Sequence, residues 1–273
     1  MTWWAIDVRT APERRDRVGA WLVGRTGHAV EERDDGTLVT FAEDEADAKR
    51  LEAALAEEAP VETVRRAVEA VDWSVRWRDG LGPRRIGRLT VVPSWIAAEP
   101  SGPVVVIDPE MAFGSGEHGS TRGALALLDG HVRPGDRVLD LGSGSGIVAI
   151  AAVVLGAGRA VGVELDAEAN DVAERNAEQN AVADRVSFLE GDAADLAPLL
   201  GPCDLLVSNI LRSVNTRLLP AIHAALRPGG LAIFAGMETP EADVFRPVLT
   251  RAGFTPVDET VDAGWWAVAA RAE

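Results

Sequence analysis

The sequence predicts an α/β protein with two domains, a small N-terminal one and a larger one that contains a mostly parallel sheet. Two observations carry this prediction. Over residues 1–70, strand and helix patterns follow one another in the order β-α-β-β-α-β. From about residue 83 onward, short apolar runs alternate with helical patterns, and the strands of such an alternation pair in parallel.

The order β-α-β-β-α-β is that of a ferredoxin-like module, and its elements follow from local patterns. Asp34, Asp35 and Gly36 form turns readily, so they predict a hairpin between the two middle strands. Pro12 begins the first predicted helix, and acidic residues begin the second, as the helix dipole favours. The predicted strands cover residues 3–8, 28–33, 37–41 and 61–67, and the predicted helices cover residues 12–23 and 43–59.

In the larger domain, the same reasoning predicts apolar strands that are separated by helices. Ser120 and Thr121 are expected to cap a helix over residues 122–128. The last strand is expected to close the sheet. The predicted strands cover residues 138–141, 160–164, 186–189, 205–208, 231–235 and 265–270, and further helices cover residues 147–155 and 167–180. The predicted domain boundaries are 1–70 for the small domain, 71–82 for a linker and 83–273 for the large domain.

The composition restricts the classes of function. The chain of 273 residues has 43 acidic and 27 basic side chains, so its net charge is −16. Such a charge repels nucleic-acid phosphates and anionic membranes and favours a basic protein or a cationic small molecule as the partner. Cys203 is the only cysteine, which excludes an internal disulfide, and no cysteine–histidine spacing predicts a zinc site. Without a signal peptide or an apolar run of membrane length, we expect a cytoplasmic protein, monomeric and without a metal.

The turn after the predicted strand 138–141 carries the most specific chemical signal. It contains Gly142, Gly144 and Gly146, and Asp140 lies two residues before the first glycine. A dinucleotide fingerprint requires its third glycine one position later, where this chain has Ile147. The pattern G-x-G-x-G after an acid is instead that of class I S-adenosylmethionine (SAM) methyltransferases, in which the acid faces the methionine part of the cofactor.

Two further acids follow the next two predicted strands, as a SAM site requires. Glu164 ends the strand 160–164, where a carboxylate can accept both ribose hydroxyls. Asp192 follows the strand 186–189 and is placed to accept the adenine amino group. Each acid alone has an ordinary interpretation as a turn cap, a surface residue or a loop residue. The ordered series with Asp140 favours SAM as the cofactor, with S-adenosylhomocysteine as its product.

Asn209 follows the predicted strand 205–208, at the sheet edge where such folds bind their substrates. Two interpretations stay open for it. Its side-chain carbonyl either accepts a hydrogen bond from a target amine and directs the amine lone pair at the methyl group, or the side chain caps the following helix. The first interpretation makes Asn209 the catalytic candidate as well as a cofactor contact.

A loop upstream of the glycine turn carries a resemblance to a known family. Residues 108–121 read Asp108-Pro-Glu-Met-Ala-Phe113-Gly-Ser-Gly-Glu-His118-Gly-Ser120-Thr121. This segment resembles the ribosomal protein L11 methyltransferase family (PrmA), whose pattern is roughly D-P-x-x-A-F-G-T-G-x-H-x-T-T. The resemblance extends from about residue 73 to residue 270, and it includes matches over residues 88–95, 138–147 and 207–211.

The resemblance implies repeated methylation of the α-amine and of lysine ε-amines on one basic ribosomal protein. It implies that residues 1–70 recognise the substrate, that Phe113 packs on SAM, and that Ser120 contacts SAM where the family has threonine. Gly142, Glu164 and Asn209 fall at the other cofactor-contacting positions. His118 matches the family's histidine and has either a packing or a proton-handling role. The alternatives are a methyltransferase of the same fold that acts on another protein or a small amine, and a non-catalytic SAM-fold binding module.

Overall fold

The chain folds as two units, Met1–Arg76 and Trp77–Glu273, and each has its own hydrophobic core. The computed structural model describes residues 3–26, 30–33, 35–68, 81–97, 102–110 and 112–273. Of the predicted linker over 71–82, residues 71–80 lie outside the described residues. The same holds for residues 28 and 29 of the predicted second strand and for residue 34 of the predicted hairpin turn.

The N-terminal unit contains a four-stranded antiparallel sheet and two helices among its described residues. Its elements are β1 (Trp3–Arg9), α1 (Arg15–Thr26), β2 (Glu31–Glu32), β3 (Leu38–Ala42), α2 (Glu45–Glu58) and β4 (Glu62–Val68). The strand order is β2-β3-β1-β4. Alternate residues of β1, Ile6 and Val8, pack in one cluster with Leu22 of α1 and Leu55 of α2, which explains the alternating apolar pattern of the strand.

The second unit contains a small three-stranded sheet, a seven-stranded sheet and helices that follow its strands. The small sheet comprises β5 (Arg84–Ile86), β6 (Leu89–Val92) and β7 (Val104–Val106). The large sheet comprises β8 (Arg137–Leu141), β9 (Arg159–Glu164), β10 (Val186–Glu190), β11 (Cys203–Asn209), β12 (Leu226–Glu238), β13 (Phe254–Asp262) and β14 (Trp265–Ala272). The helices in the described residues are α3 (Gly119–His131), α4 (Ile147–Val154), α5 (Ala167–Gln179), α6 (Ala193–Leu200), α7 (Arg212–Ala225) and α8 (Ala242–Arg251).

The large sheet has the order β10-β9-β8-β11-β12-β14-β13. The first five strands in this order, β10, β9, β8, β11 and β12, are parallel to one another. In contrast, β14 is antiparallel to β12, and β13 is antiparallel to β14. The chain leaves β8 for β9 on one side and later continues to β11 on the other side. The strand order therefore reverses between β8 and β11, which is the place where sheets of this kind bind ligands. The predicted α/β fold class is confirmed.

Helices cover both faces of the large sheet, so its central strands are buried on both sides. In β11, Leu205 and Val207 belong to the core that contains α4, whereas Leu206 belongs to the core on the opposite face. The strand is therefore a continuous apolar run instead of an alternating one. No helix within the described residues is long and apolar enough to cross a membrane.

Two predictions about the second unit are wrong. The C-terminal strand β14 does not end the sheet, because β13 pairs with its outer side. Five of the nine residues of β13 are polar and five are exposed, so the strand shows no continuous apolar pattern in the sequence. Ser120 and Thr121 do not cap α3 either, because His118 is the residue that caps it and both hydroxyl residues are buried in its first turn.

Candidate functional site

A cavity of about 500 Å³ lies at the carboxyl ends of the central strands, beside the point where the strand order reverses. Its volume is within the range of cofactor and small-molecule sites. Of the nine residues that the sequence analysis assigns to a SAM site, the structure brings seven together around this cavity. They are Phe113, Ser120, Gly142, Gly144, Glu164, Asp192 and Asn209.

The glycine turn between β8 and α4 forms one wall of the cavity, and it is joined to the loop around Phe113. Gly144 has φ of 49°, and a Cβ at this position would lie 2.4 Å from the carbonyl oxygen of Phe113. The same oxygen accepts a hydrogen bond from the backbone N–H of Ser145 at 2.9 Å. The Ser145 hydroxyl donates to the carbonyl of Gly114 at 2.6 Å. Only glycine fits at 144, because two stretches of backbone meet there.

Gly146 lies outside the cavity lining, and packing explains why the sequence has glycine there. It precedes α4 with φ of 80°. A Cβ at this position would lie 2.6 Å from the Phe188 ring and 2.9 Å from the Ala173 side chain. The third glycine of the motif therefore allows α4 to start against β10 and α5.

Glu164 ends β9 and connects it to the glycine turn. One of its carboxylate oxygens accepts the backbone N–H of Gly144 at 3.0 Å. The other oxygen accepts the backbone N–H groups of Leu165 at 2.8 Å and Asp166 at 3.2 Å. A carboxylate has about four acceptor positions, and backbone N–H groups occupy three of them here. One position therefore remains for a ligand hydroxyl, and a second hydroxyl could bind only in exchange for a backbone hydrogen bond.

Asp140 supports the turn from inside the protein and does not line the cavity. Its side chain is 1% exposed, and one oxygen accepts the backbone N–H of Ala149 in α4 at 3.2 Å. Burial raises the pKa of the Asp140 carboxyl to about 7; the Ala149 hydrogen bond opposes this shift and the nearby Glu164 charge adds to it. The position of Asp140 before the glycine turn predicts a carboxyl that faces the ligand, whereas in the structure this carboxyl is buried in protein.

Asp192 lines the cavity and caps α6. One carboxylate oxygen accepts the backbone N–H of Ala194 at 2.8 Å. The second oxygen accepts no hydrogen bond from the residues that the structure describes. Capping fixes the carboxylate in place, so this second oxygen is a preoriented acceptor for a ligand N–H group.

His118 lies in the cavity wall as a neutral ring. Its Nδ1 lies 2.7 Å from the Ser120 hydroxyl and 3.4 Å from the Ser120 backbone N–H, which can only donate. Nδ1 is therefore an acceptor, so the ring proton is on Nε2. Burial lowers the pKa of His118, and the positive charge of Arg122 lowers it further. Its ring packs between those of Phe113, at a centroid distance of 5.4 Å, and Trp265, at 4.3 Å.

Asn209 lines the cavity, and the two ends of its side-chain amide differ in their hydrogen bonding. Its side-chain amide nitrogen donates to the Thr121 hydroxyl at 3.4 Å. Its side-chain oxygen is buried and has no hydrogen-bond partner among the residues that the structure describes. The helix-cap interpretation is wrong, because the residue that precedes α7 is Leu211 and no side chain caps that helix. A buried acceptor without a partner costs about 1–3 kcal/mol, which a ligand donor would recover.

Sequence reasoning missed Trp265, which lines the cavity from the start of β14. No motif surrounds it, and the only available signal is a tryptophan that directly follows the turn residue Gly264. Leu165 and Leu211 also line the cavity while they are largely exposed, at 67% and 68%. Apolar walls with a few fixed acceptors fit SAM, which has hydroxyl and amino donors on its ribose, adenine and amino-acid parts.

Comparisons with known proteins give a consistent result. A family model described as ribosomal protein L11 methyltransferase (PrmA) matches residues 23–273. The ribosomal protein L11 methyltransferase of Thermus thermophilus is 42% identical over 206 residues, covering 76% of this chain and 80% of that protein. The enzyme of the same name from Deinococcus radiodurans is 36% identical over 264 residues, covering 93% and 92%. The crystal structure of ribosomal protein L11 methylase from Lactobacillus delbrueckii subsp. bulgaricus aligns with a TM-score of 0.63 and 28% identity, over 70% of this chain and 100% of that one.

The Glu164→Ala substitution is expected to weaken the binding of S-adenosylhomocysteine by roughly 1.5–3 kcal/mol, the scale of a hydrogen bond to a charged group. Part of the loss would come from the turn, which loses the acceptor for the Gly144 N–H. Isothermal titration calorimetry measures the effect. Glu190→Ala is the matched control, because Glu190 is the exposed neighbour of Glu164 on β10. Equal affinities of both variants would remove Glu164 from the site.

Asp140 is expected to make stability depend on pH. Its folded-state pKa of about 7 is above the value of ~3.9 in an unfolded chain, so protonated Asp140 stabilises the fold fully below about pH 4. That contribution is lost as the pH rises to about 7. Between about pH 4 and about pH 7, the free energy of unfolding of the unmodified protein should therefore fall relative to that of Asp140→Asn. Above about pH 7, the difference between the two proteins should stay constant. Urea unfolding across the range measures this, and a difference that does not change with pH would contradict it.

Proposed function

Because the family model matches most of the chain and the two relatives are at least 36% identical, the chain belongs to the ribosomal protein L11 methyltransferase family, and we propose that it methylates lysine ε-amines and the α-amine of ribosomal protein L11. It is a SAM-dependent protein methyltransferase. The observation that supports the choice of amines as acceptors is the buried side-chain oxygen of the cavity-lining residue Asn209, which has no partner within the described part of the chain. Such an oxygen matches an incoming N–H group.

When bound, SAM supplies an electrophilic methyl group on a sulfonium sulfur, and the protein has to place the amine in line with it. The cavity residues suit that task. Asn209 accepts one amine N–H and leaves the amine lone pair directed at the methyl carbon. Glu164 would accept a ribose hydroxyl at its one free acceptor position, and Asp192 would accept the adenine amino group with the carboxylate oxygen that does not cap α6. Orientation of two reactants in this way supplies on the order of 7–11 kcal/mol of barrier reduction.

The acceptor amine must be neutral when it reacts, and the cavity favours that state. An ordinary lysine has a pKa near ~10.4, and transfer of its ammonium group into apolar surroundings lowers that value. His118 does not take the proton in this proposal. Its Nδ1 accepts from Ser120, its Nε2 is already protonated, and burial lowers its pKa. The proton leaves to water, and His118 has the packing role.

The N-terminal unit is the proposed recognition domain for the ribosomal protein. It has its own core and a topology distinct from that of the unit that holds the cavity. Ten basic and sixteen acidic side chains give residues 1–70 a net charge of −6, which favours a basic partner. We propose that the enzyme is a cytoplasmic monomer, that the linker over 71–82 allows several amines to reach one cavity, and that neither nucleic acid nor a membrane is a direct partner.

Asn209→Ala is expected to lower kcat by about two orders of magnitude, because the amine loses its alignment with the methyl group. The affinity for S-adenosylhomocysteine should change far less, since most cofactor contacts come from other residues. Mass spectrometry of purified ribosomal protein L11 after incubation with SAM follows the reaction and identifies the modified amines. No mass increase with the unmodified enzyme would refute the substrate. An unchanged kcat for Asn209→Ala together with a lower melting temperature would assign Asn209 a structural role only.

Removal of residues 1–70 is expected to abolish methylation of ribosomal protein L11 and to leave binding of S-adenosylhomocysteine intact. The cavity residues all belong to the second unit, which has its own core, so the cofactor site does not need the N-terminal one. Calorimetry measures the binding and mass spectrometry measures the methylation. A truncated enzyme that modifies the intact substrate at the unmodified rate would contradict the recognition role.

A further inference from the structure

The hairpin formed by β13 and β14 reaches the cavity, although none of the sequence motifs lies in it. The two strands are joined by a tight turn in which Ala263 and Gly264 have φ of 48° and 83°. Trp265 follows this turn and lines the cavity. The Trp265 ring lies 4.3 Å from the ring of His118, the residue that caps α3. The hairpin turn and the start of α3 therefore form one wall of the cavity together.

An ion pair joins these two segments across 140 residues of sequence. Arg122 of α3 donates two hydrogen bonds to Asp262 at the end of β13, one from Nε at 2.7 Å and one from Nη2 at 2.6 Å. Arg122 also donates to the backbone carbonyl of Glu117, in the loop that carries Phe113. Bidentate pairs of guanidinium and carboxylate are directional as well as strong, so this pair fixes both the distance and the orientation of the two segments.

The backbone packing at this contact leaves no free space. Gly119 is the first residue of α3, and a Cβ at this position would lie 2.5 Å from the Asp262 carbonyl oxygen and 2.9 Å from the Trp265 ring. The hairpin turn therefore packs directly on the start of the helix. A shift of the turn would move Trp265 relative to His118, because the two rings are in direct contact.

We propose that Arg122 and Asp262 are positioning residues of the cofactor cavity. Their ion pair holds the hairpin turn against α3 and the loop 112–118, and it thereby fixes the wall formed by His118 and Trp265. Neither residue lines the cavity, so both act through the residues that they hold. The inference rests on the proposed function in one respect, because it takes SAM and S-adenosylhomocysteine as the ligands of this cavity.

Loss of the ion pair is expected to weaken cofactor binding, whereas saturating SAM should restore the reaction rate. Without the ion pair, the wall is in its binding-competent arrangement for only part of the time, and the apparent Kd rises by the inverse of that fraction. If the fraction falls to about one tenth, Asp262→Asn and Arg122→Met each raise the Kd for S-adenosylhomocysteine about tenfold. KM for SAM should rise similarly, whereas kcat at saturating SAM should stay within about twofold, because bound cofactor restores the arrangement.

Glu259→Gln is a matched control on the same strand. Glu259 accepts two hydrogen bonds from Arg246, at 2.9 and 2.7 Å, and a third from the Trp266 ring nitrogen at 3.0 Å. The substitution breaks a second bidentate pair and destabilises the fold, but Glu259 and Arg246 do not line the cavity. It should lower the melting temperature while the Kd stays within about twofold of that of the unmodified protein.

Calorimetry with S-adenosylhomocysteine on the full-length variants, together with the indole N–H resonance of Trp265 without ligand, tests the inference. The resonance, identified by its loss in Trp265→Phe, should shift in Asp262→Asn and stay in place in Glu259→Gln. The double variant Arg122→Met/Asp262→Asn should bind no more weakly than either single variant, because the two residues act as one unit. If Asp262→Asn fails to fold, Asp262→Glu keeps the charge, displaces the carboxylate and provides the same comparison.

Three outcomes have different meanings. A Kd for Asp262→Asn within twofold of the unmodified value, or an equal loss in Glu259→Gln, would overturn the inference and leave the pair with a structural role only. A tenfold loss confined to the Arg122 and Asp262 variants would support it. An unmodified protein that does not bind S-adenosylhomocysteine would refute the proposed function instead.

Discussion

The cavity depends on one close contact between two stretches of backbone, the carbonyl of Phe113 and the glycine turn at Gly144. A Cβ at 144 would lie 2.4 Å from that oxygen, and the neighbouring Ser145 N–H donates to it at 2.9 Å. This contact holds a loop from upstream of the large sheet over the end of the central strand β8. The loop then leads into α3, and α3 packs against the C-terminal hairpin. Three segments that are distant in sequence thereby meet at one edge of the sheet.

The charged groups of the site are held in place before any ligand binds. Glu164 accepts three backbone N–H groups, and Asp192 caps a helix, so neither carboxylate is free to rotate. Asp140 is buried behind the turn, and its raised pKa reflects the cost of a charge there. Preoriented dipoles of this kind need no rearrangement when the ligand arrives. The protein thus spends part of its folding free energy on the geometry of the site.

The ion pairs among the described residues differ in importance because some lie within one element and others join different segments. Pairs within one helix, such as Lys49–Glu45, lie on the surface and contribute little. Arg84 and Arg122 instead hold the loop 112–118 and α3 to the small sheet and to the hairpin, through Glu117 and Asp262. In a chain with net charge −16, these arginines neutralise acidic groups close to the cavity while they fix its walls.

The sequence by itself determined the elements and the chemistry that depend on local pattern. Short apolar runs between helical patterns predicted the parallel strands, and the glycine spacing distinguished a SAM site from a dinucleotide site. The acids that follow successive strands had to meet at one sheet edge because parallel strands end there. Tertiary structure alone decided which polar groups face the cavity. Asp140 is turned into the core, and Gly146 is required by the Phe188 ring. The Asn209 side-chain oxygen is left without a partner among the described residues. The polar strand β13 and the Trp265 wall also lay beyond sequence reasoning, because a hairpin that is stabilised by contacts 140 residues away leaves no local periodic signal.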